Sequence, residues 1–166
     1  MKLEEAIKQT KFSSEYHKLA LNLLYTSSWM TNKQHQLFKQ FDISSQQYNI
    51  MRILRGQHPK PSTMQLLCSR MLDKNSNATR LVDKLLLKGL VERVNCDTDR
   101  RVIHILITKQ GLSLLKQMDQ PVSEMENLLY GISKKEAGEM NERLDRMRME
   151  HEKSLINIKS KTTKNK

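Results

Sequence analysis

Six side chains between residues 75 and 84, Asn75, Ser76, Asn77, Thr79, Arg80 and Lys84, carry chemistry suited to holding and reading a nucleic acid. Asparagine can bond adenine at two points and arginine can do the same to guanine, while serine, threonine and lysine suit phosphate oxygens. On a helical wheel, Ala78, Leu81, Val82 and Leu85 face one way. Ser76, Asn77, Arg80, Asp83 and Lys84 face roughly the other way, with Thr79 at the margin. Asp83 is a misfit against phosphate. An ordinary solvated helix face has the same pattern, and for this segment taken alone that is the better reading.

The residues that follow change the balance. Lys84 and Lys88 make a basic last turn and Gly89 follows, as at a helix C-terminus where cations meet the dipole and glycine takes the left-handed cap. Val91 to Val94 has the β-branched content of a strand, 95–101 is rich in turn formers, and Val102 to Ile107 is a second β-branched run. Thr108 then reads as the N-cap of another helix. A helix leading into a charged two-stranded ribbon is how a winged helix-turn-helix module grips duplex DNA, with the helix in the major groove and the ribbon on the flanking backbone or minor groove. At the ribbon's turn, Arg100 and Arg101 stand beside Asp97 and Asp99.

KGLVER, DTDRR and ILITKQG resemble the GLV-x-R, D-x-D-R-R and L-T-x-x-G pattern of the MarR family of bacterial transcription regulators. Upstream, 43–48 is similar to that family's L-T-x-x-Q-aromatic helix start, and 77–85 to its recognition helix. The resemblance is detailed over about Ser44 to Leu115. It implies a sequence-specific, double-stranded DNA-binding regulator. Such a protein acts as a homodimer on a pseudo-palindromic operator, usually as a repressor. It also implies that Asp99 holds the wing turn while Arg101, with Arg100 as a second candidate, reaches the minor groove or its phosphates. In the family a small-molecule effector often binds between the dimer helices and the reading module. Tyr25, Trp29, Tyr48, Met51 and Arg52 are candidates for such a site, although each reads more readily as packing. Peroxide-sensing members use a cysteine early in the first helix, and this chain has none there.

Composition bounds the alternatives. The net charge is +11, yet residues 153–166 supply five lysines and no acid, so much of the excess lies outside the reading segment. A basic chain favours a polyanionic partner. The five histidines, at 17, 35, 58, 104 and 151, share no metal-ligand spacing, and there is no glycine-rich phosphate loop or nucleophile elbow. The expectation is therefore no enzyme, no cofactor and no metal. Cys68 and Cys96 form no CxxC pair, which fits a reducing cytoplasm; Cys68 reads as packing and Cys96 as an incidental thiol. No stretch is apolar enough to span a membrane, and MKLEEAIKQTKF does not read as a secretory signal.

The expected fold is mainly α (α+β): a winged helix-turn-helix module between N- and C-terminal helices that form a dimerisation bundle. The sequence predicts one long helix over about Leu3 to Gln40, and a second from a Ser44-x-x-Gln47 capping box to Gly56. It predicts a short helix from a Ser62-x-x-Gln65 box to Met71 and a reading helix from Asn75 or Ser76. A helix kinked at Pro121 carries Leu112, Leu115, Met118, Val122, Met125 and Leu129. A last one, capped by Ser133-x-x-Glu136, carries Met140, Leu144, Met147, His151, Leu155 and Ile158 along a narrow seam. The corresponding domains are 1–40 for N-terminal dimerisation, 41–110 for the DNA-binding module, 111–158 for C-terminal dimerisation, and a disordered basic tail at 159–166. Two other readings fit the same residues: an architectural DNA binder without sequence preference, and a helical protein–protein adaptor whose winged fold no longer binds DNA.

Overall fold

Helix ends, set by a few capping side chains, divide this chain. The computed structural model describes residues 1–95 and 103–163, with side chains for 1–94 and 103–150. A short α1, Leu3–Ile7, stops at Lys8 in the left-handed conformation, φ 54°. Ser14, whose hydroxyl accepts the His17 N–H, then starts α2, Glu15–Lys39. The single helix expected over Leu3 to Gln40 is thus two helices, because Lys8 and Ser14 supply a stop and a start that apolar periodicity does not register. The Lys18 ammonium lies 2.6 Å from the Glu4 carboxylate and ties α1 to α2.

The Ser44 capping box forms as expected. The Ser44 hydroxyl accepts the Gln47 N–H at 3.2 Å, and Gln47 Oε1 accepts the Ser44 N–H at 2.9 Å. It opens α3, Ser45–Gln57, which runs one residue past Gly56. At the next helix the sequence expectation is corrected. Ser62 and Thr63 form a two-residue strand, β1, and Thr63 rather than Ser62 caps α4, Met64–Arg70, by accepting the Leu66 N–H. A hydroxyl one residue further along fits the same spacing rule, and Ser62 is claimed by a strand pairing that is not visible locally.

The reading helix, α5, is Ala78–Leu87, starting two to three residues later than expected because Asn77 is its N-cap. Strands β2, Val91–Asn95, and β3, Ile103–Ile107, pair antiparallel from Val91 with Ile107 to Asn95 with Ile103. β1 lies on the other side of β3, with Ser62 opposite Ile105, so the sheet order is β1-β3-β2. α6, Lys109–Glu124, contains Pro121. It gives way to a 3₁₀ turn, Met125–Leu129, so Met125 and Leu129 do not continue its stripe. Ser133 and Glu136 form the expected box at the start of α7, Lys134–Thr163. α7 reaches into the tail expected to be disordered, since 153–163 holds no glycine or proline to stop it. Among the described residues, no helix is long and apolar enough to cross a membrane.

The chain divides into two compact units, Met1–Ser123 and Glu124–Lys166. One core fills the first. Phe38 from α2, Ile50, Met51 and Leu54 from α3, and Leu67 from α4 pack with Val82 and Leu85 from α5, Ile105 and Ile107 from β3, and Leu115 and Met118 from α6. In the second, Met140 and Met147 on α7 remain about half exposed.

One crossing in the first unit leaves no room for a side chain. A Cβ on Gly111 would lie 2.2 Å from the Leu90 carbonyl oxygen and 2.8 Å from Ile107 Cγ1. Backbone cannot yield as a flexible side chain can. Gly111→Ala is therefore expected to destabilise the fold by about 1–3 kcal/mol, by overpacking. Gly138→Ala, on α7 with open space around it, should raise stability slightly through helix propensity. Urea melts of both variants test the contrast, and a neutral Gly111→Ala would show that α6 can move off Leu90 and the end of β3.

Candidate nucleic-acid interface

The turn before α5 is held by side chains. The Asp73 carboxylate accepts the Asn75 N–H at 3.0 Å and the Ser76 hydroxyl at 2.7 Å. These bonds, the Ser76 hydroxyl first and the Asn75 amide second, hold the Asp73 carboxyl below its usual pKa. A depressed carboxylate contributes its stabilisation above the unfolded value and loses it as pH falls through the folded one, so the turn loosens only in acid. Asn49 on α3 accepts the Leu72 N–H at 3.0 Å and fixes the other end of the turn. Asn77 Oδ1 accepts the Arg80 N–H at 3.0 Å and starts the helix. Its carbonyl oxygen is thereby committed to capping, which removes half of the paired bonding to adenine that the sequence assigned to Asn77.

α5 buries Ala78, Val82 and Leu85 in the core and leaves Thr79, Arg80 and Lys84 exposed, the division that the helical wheel gives. Asn75 is exposed and Ser76 half-buried in the turn. Arg80 and Lys84 form no ion pair among the described residues. Lys84 stands two-thirds of the way along the helix and borders a shallow concavity with His35 and Lys39 of α2, away from the N-terminal half that carries Thr79 and Arg80. Asp83, the misfit, is answered by a residue that sequence reasoning did not assign: Arg93 on β2 places Nη2 2.5 Å from Asp83 Oδ1. The pair is about half exposed and links the reading helix to the ribbon. Its signal in the sequence is the misfit itself, an acid on a cationic face ten residues before an arginine. Asp73 and Asn49 were likewise missed, although Asp73 carries the D-x-x-S spacing of a side-chain-bonded turn.

Asp99, Arg100 and Arg101 lie outside the described residues, as do Asp97 and Cys96. Cys68, expected to be packing, is exposed on α4. Of the residues proposed to line an effector site, Met51 is fully buried in the core and Tyr48 is buried and stacked on Phe38 at 4.8 Å. Arg52 donates to the Tyr48 hydroxyl at 3.0 Å. Tyr25 and Trp29 lie one turn apart on α2, Tyr25 at the exposed margin and Trp29 half-buried. Met51 packs because α3 turns that face onto β3 and α5. A cleft of about 530 Å³ does exist in this unit, but Phe41, Asp42, Lys88, Leu90, Gln110 and Leu114 are among its walls, and none of those five candidates is. Among the described residues, no group of three acidic, histidine or cysteine side chains is placed to hold a metal ion.

The Asp83–Arg93 pair generates a prediction. Arg93→Ala exposes an unanswered carboxylate on the helix face that would approach phosphates. It should weaken binding to every duplex, while Asp83→Ala added to it should restore most of the loss. Equal weakness in the single and double variants would show instead that Arg93 touches DNA itself. Fluorescence anisotropy on a short duplex at fixed salt reads the difference.

Residues 43–103 match the MarR family model. A MarR transcription factor from Planctomyces limnophilus is 32% identical, covering 84% of this chain and 99% of that one, with a TM-score of 0.63. The S. aureus MepR–DNA complex shares the fold, with a TM-score of 0.72 at 23% identity, over 84% of this chain and 99% of that one. The transcriptional repressor MprA of Escherichia coli (strain K12) is 24% identical over 59% of this chain, which spans only 56% of MprA's length. With a helix-turn-helix, a β-ribbon directly after it and the 32% identical Planctomyces limnophilus relative matched over 99% of its length, the chain belongs to the MarR family of DNA-binding transcription regulators.

Proposed function

We propose that this protein is a sequence-specific repressor that binds a pseudo-palindromic operator as a homodimer in the cytoplasm. The observation that carries the reading is the state of α5. Its apolar side packs on the core through Ala78, Val82 and Leu85, and its opposite side offers Thr79 and Arg80, the arginine without an ion pair among the described residues, on a turn already ordered by Asp73 and Asn49. A helix prepared in this way can enter a major groove at little further ordering cost. Arg80 is assigned to base edges. Asn75, Ser76, Thr79 and Lys84 are assigned to phosphates, and Asn77 to the helix cap with its amide nitrogen toward the duplex. Arg100 and Arg101 are assigned to the wing contact and Asp99 to its turn. The name of the relative MprA supports repression, and the named MepR–DNA complex supports duplex binding.

Dimerisation is supported by apolar side chains that the single chain leaves in water. On α2, Tyr16, Leu19 and Leu24 are half to mostly exposed, and on α7 so are Met140 and Met147. A two-fold partner would bury such faces and space two reading helices by one DNA turn. A small-molecule effector remains part of the proposal on family grounds, with Tyr25, Trp29 and Arg52 the accessible members of the original set.

Selection from a random duplex pool should return a two-fold-related sequence. On it, Arg80→Ala should cost roughly 1–3 kcal/mol and relax preference at particular base pairs. A loss equal on all sequences would reassign Arg80 to phosphate. Arg101→Ala should weaken binding to every duplex and make the salt dependence shallower. Leu144→Asp with Met147→Asp should give monomer with weak operator binding by analytical ultracentrifugation, and a wild type that is monomeric at micromolar concentration would overturn the dimer.

A further inference from the structure

Lys88 is the C-cap of α5, next to the Gly89 reversal, and its ammonium is not offered to solvent like that of Lys84. Nζ donates to the Asp42 carboxylate at 2.6 Å and also to the Asp42 main-chain carbonyl, in the turn between α2 and α3. The lysine side chain is 31% exposed while the aspartate's is 96%, so the lysine lies down on the protein and the carboxylate stands out in water.

That turn is rigid for identifiable reasons. Asp42 takes a left-handed φ of 53°, and the N–H groups of Asp42 and Ile43 bond back to the carbonyls of Lys39 and Phe38. This is the paired closure that ends a helix at a glycine, here with an aspartate in the glycine's place. Phe38 and Ile43, which flank it, are both core residues. α5 closes in the same manner, with Gly89 at φ 67° and the Gly89 and Leu90 N–H groups bonding back to Leu86 and Leu85. The Lys88 ammonium therefore sits between two helix C-termini, each the negative end of its dipole. As a surface ion pair the contact is worth little in stability. Its value is geometric, because it fastens the far end of α5 to a turn that the core holds still.

We propose that Lys88 is a positioning residue for DNA recognition, which fixes through Asp42 the angle at which α5 presents Thr79 and Arg80 to base edges. The inference rests on the reading that α5 enters the major groove. Arg80 lies eight residues from Lys88, about 12 Å along the helix, so a tilt of about 5° at the Lys88 end displaces Arg80 by about 1 Å, enough to spoil a two-point contact. A positioning lysine and a phosphate-binding lysine make opposite signatures. Loss of the first harms the preferred sequence alone and leaves the salt dependence intact. Loss of the second harms all sequences equally and removes about one counterion from the salt slope.

The test uses the full chain, the duplex recovered by selection and a scrambled duplex of the same length, with dissociation constants at several salt concentrations. Lys88→Met is expected to weaken the selected duplex by about three- to tenfold, leave the scrambled duplex and the salt slope unchanged, and so lower the specificity ratio by the same factor. Lys88→Arg, which keeps a cation in reach, should stay within about twofold of wild type. Asp42→Gly tolerates the left-handed turn and keeps the carbonyl while removing the carboxylate. It should shift the selected duplex in the same direction by less, and the double variant with Lys88→Met should be no worse than Lys88→Met alone. If Lys88→Met does not fold, Asp42→Gly still carries the test. Equal loss on both duplexes with a shallower salt slope would make Lys88 a phosphate contact and overturn the proposal, as would unchanged affinity throughout. A wild type that does not discriminate the duplexes, or an Arg80→Ala without effect, would overturn the groove reading as well, and is recognised by that signature.

Discussion

The backbone crossing at Gly89, Leu90 and Gly111 is the constraint on which the arrangement of α5, the ribbon and α6 depends. Gly89 reverses the chain at the end of α5, and its carbonyl accepts the Thr108 hydroxyl at 2.7 Å. That hydroxyl also accepts the Gly111 N–H at 3.1 Å and so caps α6. One side chain thus joins the end of the reading helix to the start of the helix after the ribbon. Gly111 lets α6 lie against the Leu90 carbonyl, and the Thr108 N–H bonds that same carbonyl at 3.1 Å. The base of the ribbon is closed by these contacts. The two strands leave it in a register running from Val91 and Ile107 outward, so these contacts set the direction in which the ribbon departs from the end of α5.

Around this crossing, ion pairs link neighbouring elements at partly to fully exposed positions. Asp83 with Arg93 links α5 to β2, Lys88 with Asp42 links α5 to the α2–α3 turn, and Arg55 with Asp119 links α3 to α6 through two bonds of 2.9 and 3.0 Å. Each costs little desolvation where it stands, and each restricts relative motion of two elements already packed on the same core. Among the described residues, the cations of α5 left outside these pairs, Arg80 and Lys84, are on its exposed side. A count of basic residues does not show this division, because eight basic and five acidic residues share 70–101 with little net excess.

Much of this was legible in the sequence, and the exceptions have a common cause. Gly89, Thr108, the boxes at Ser44 and Ser133, and the inward and outward sides of α5 are local properties, determined by residues within one turn of one another. The same locality explains the errors. Thr63 and Ser62 compete for one cap, and the partner that decides between them, Ile105, is far away in the chain. Asn77 and Asp73 can each look like base-contacting or turn-forming polar residues, and the choice depends on which backbone N–H comes within reach. Lys8 and Asp42 take left-handed conformations without being glycine, which composition does not announce. Met51 and Tyr48 were ambiguous between pocket and core because periodicity reports which way a side chain points and not whether anything is packed above it.

Among the described residues, the strand order β1-β3-β2 leaves β2 with a single neighbour, so one line of its amide and carbonyl groups is unpaired within the sheet. Open edges of this kind invite another strand, and proteins protect them by charge and by shortness. β2 is five residues long and carries Glu92 and Arg93, both exposed, at its middle. The residues that make this ribbon look like a DNA-binding wing therefore also keep it from seeding intermolecular sheets. Selection for solubility alone would hold charge at these positions, even in a descendant that had stopped reading DNA.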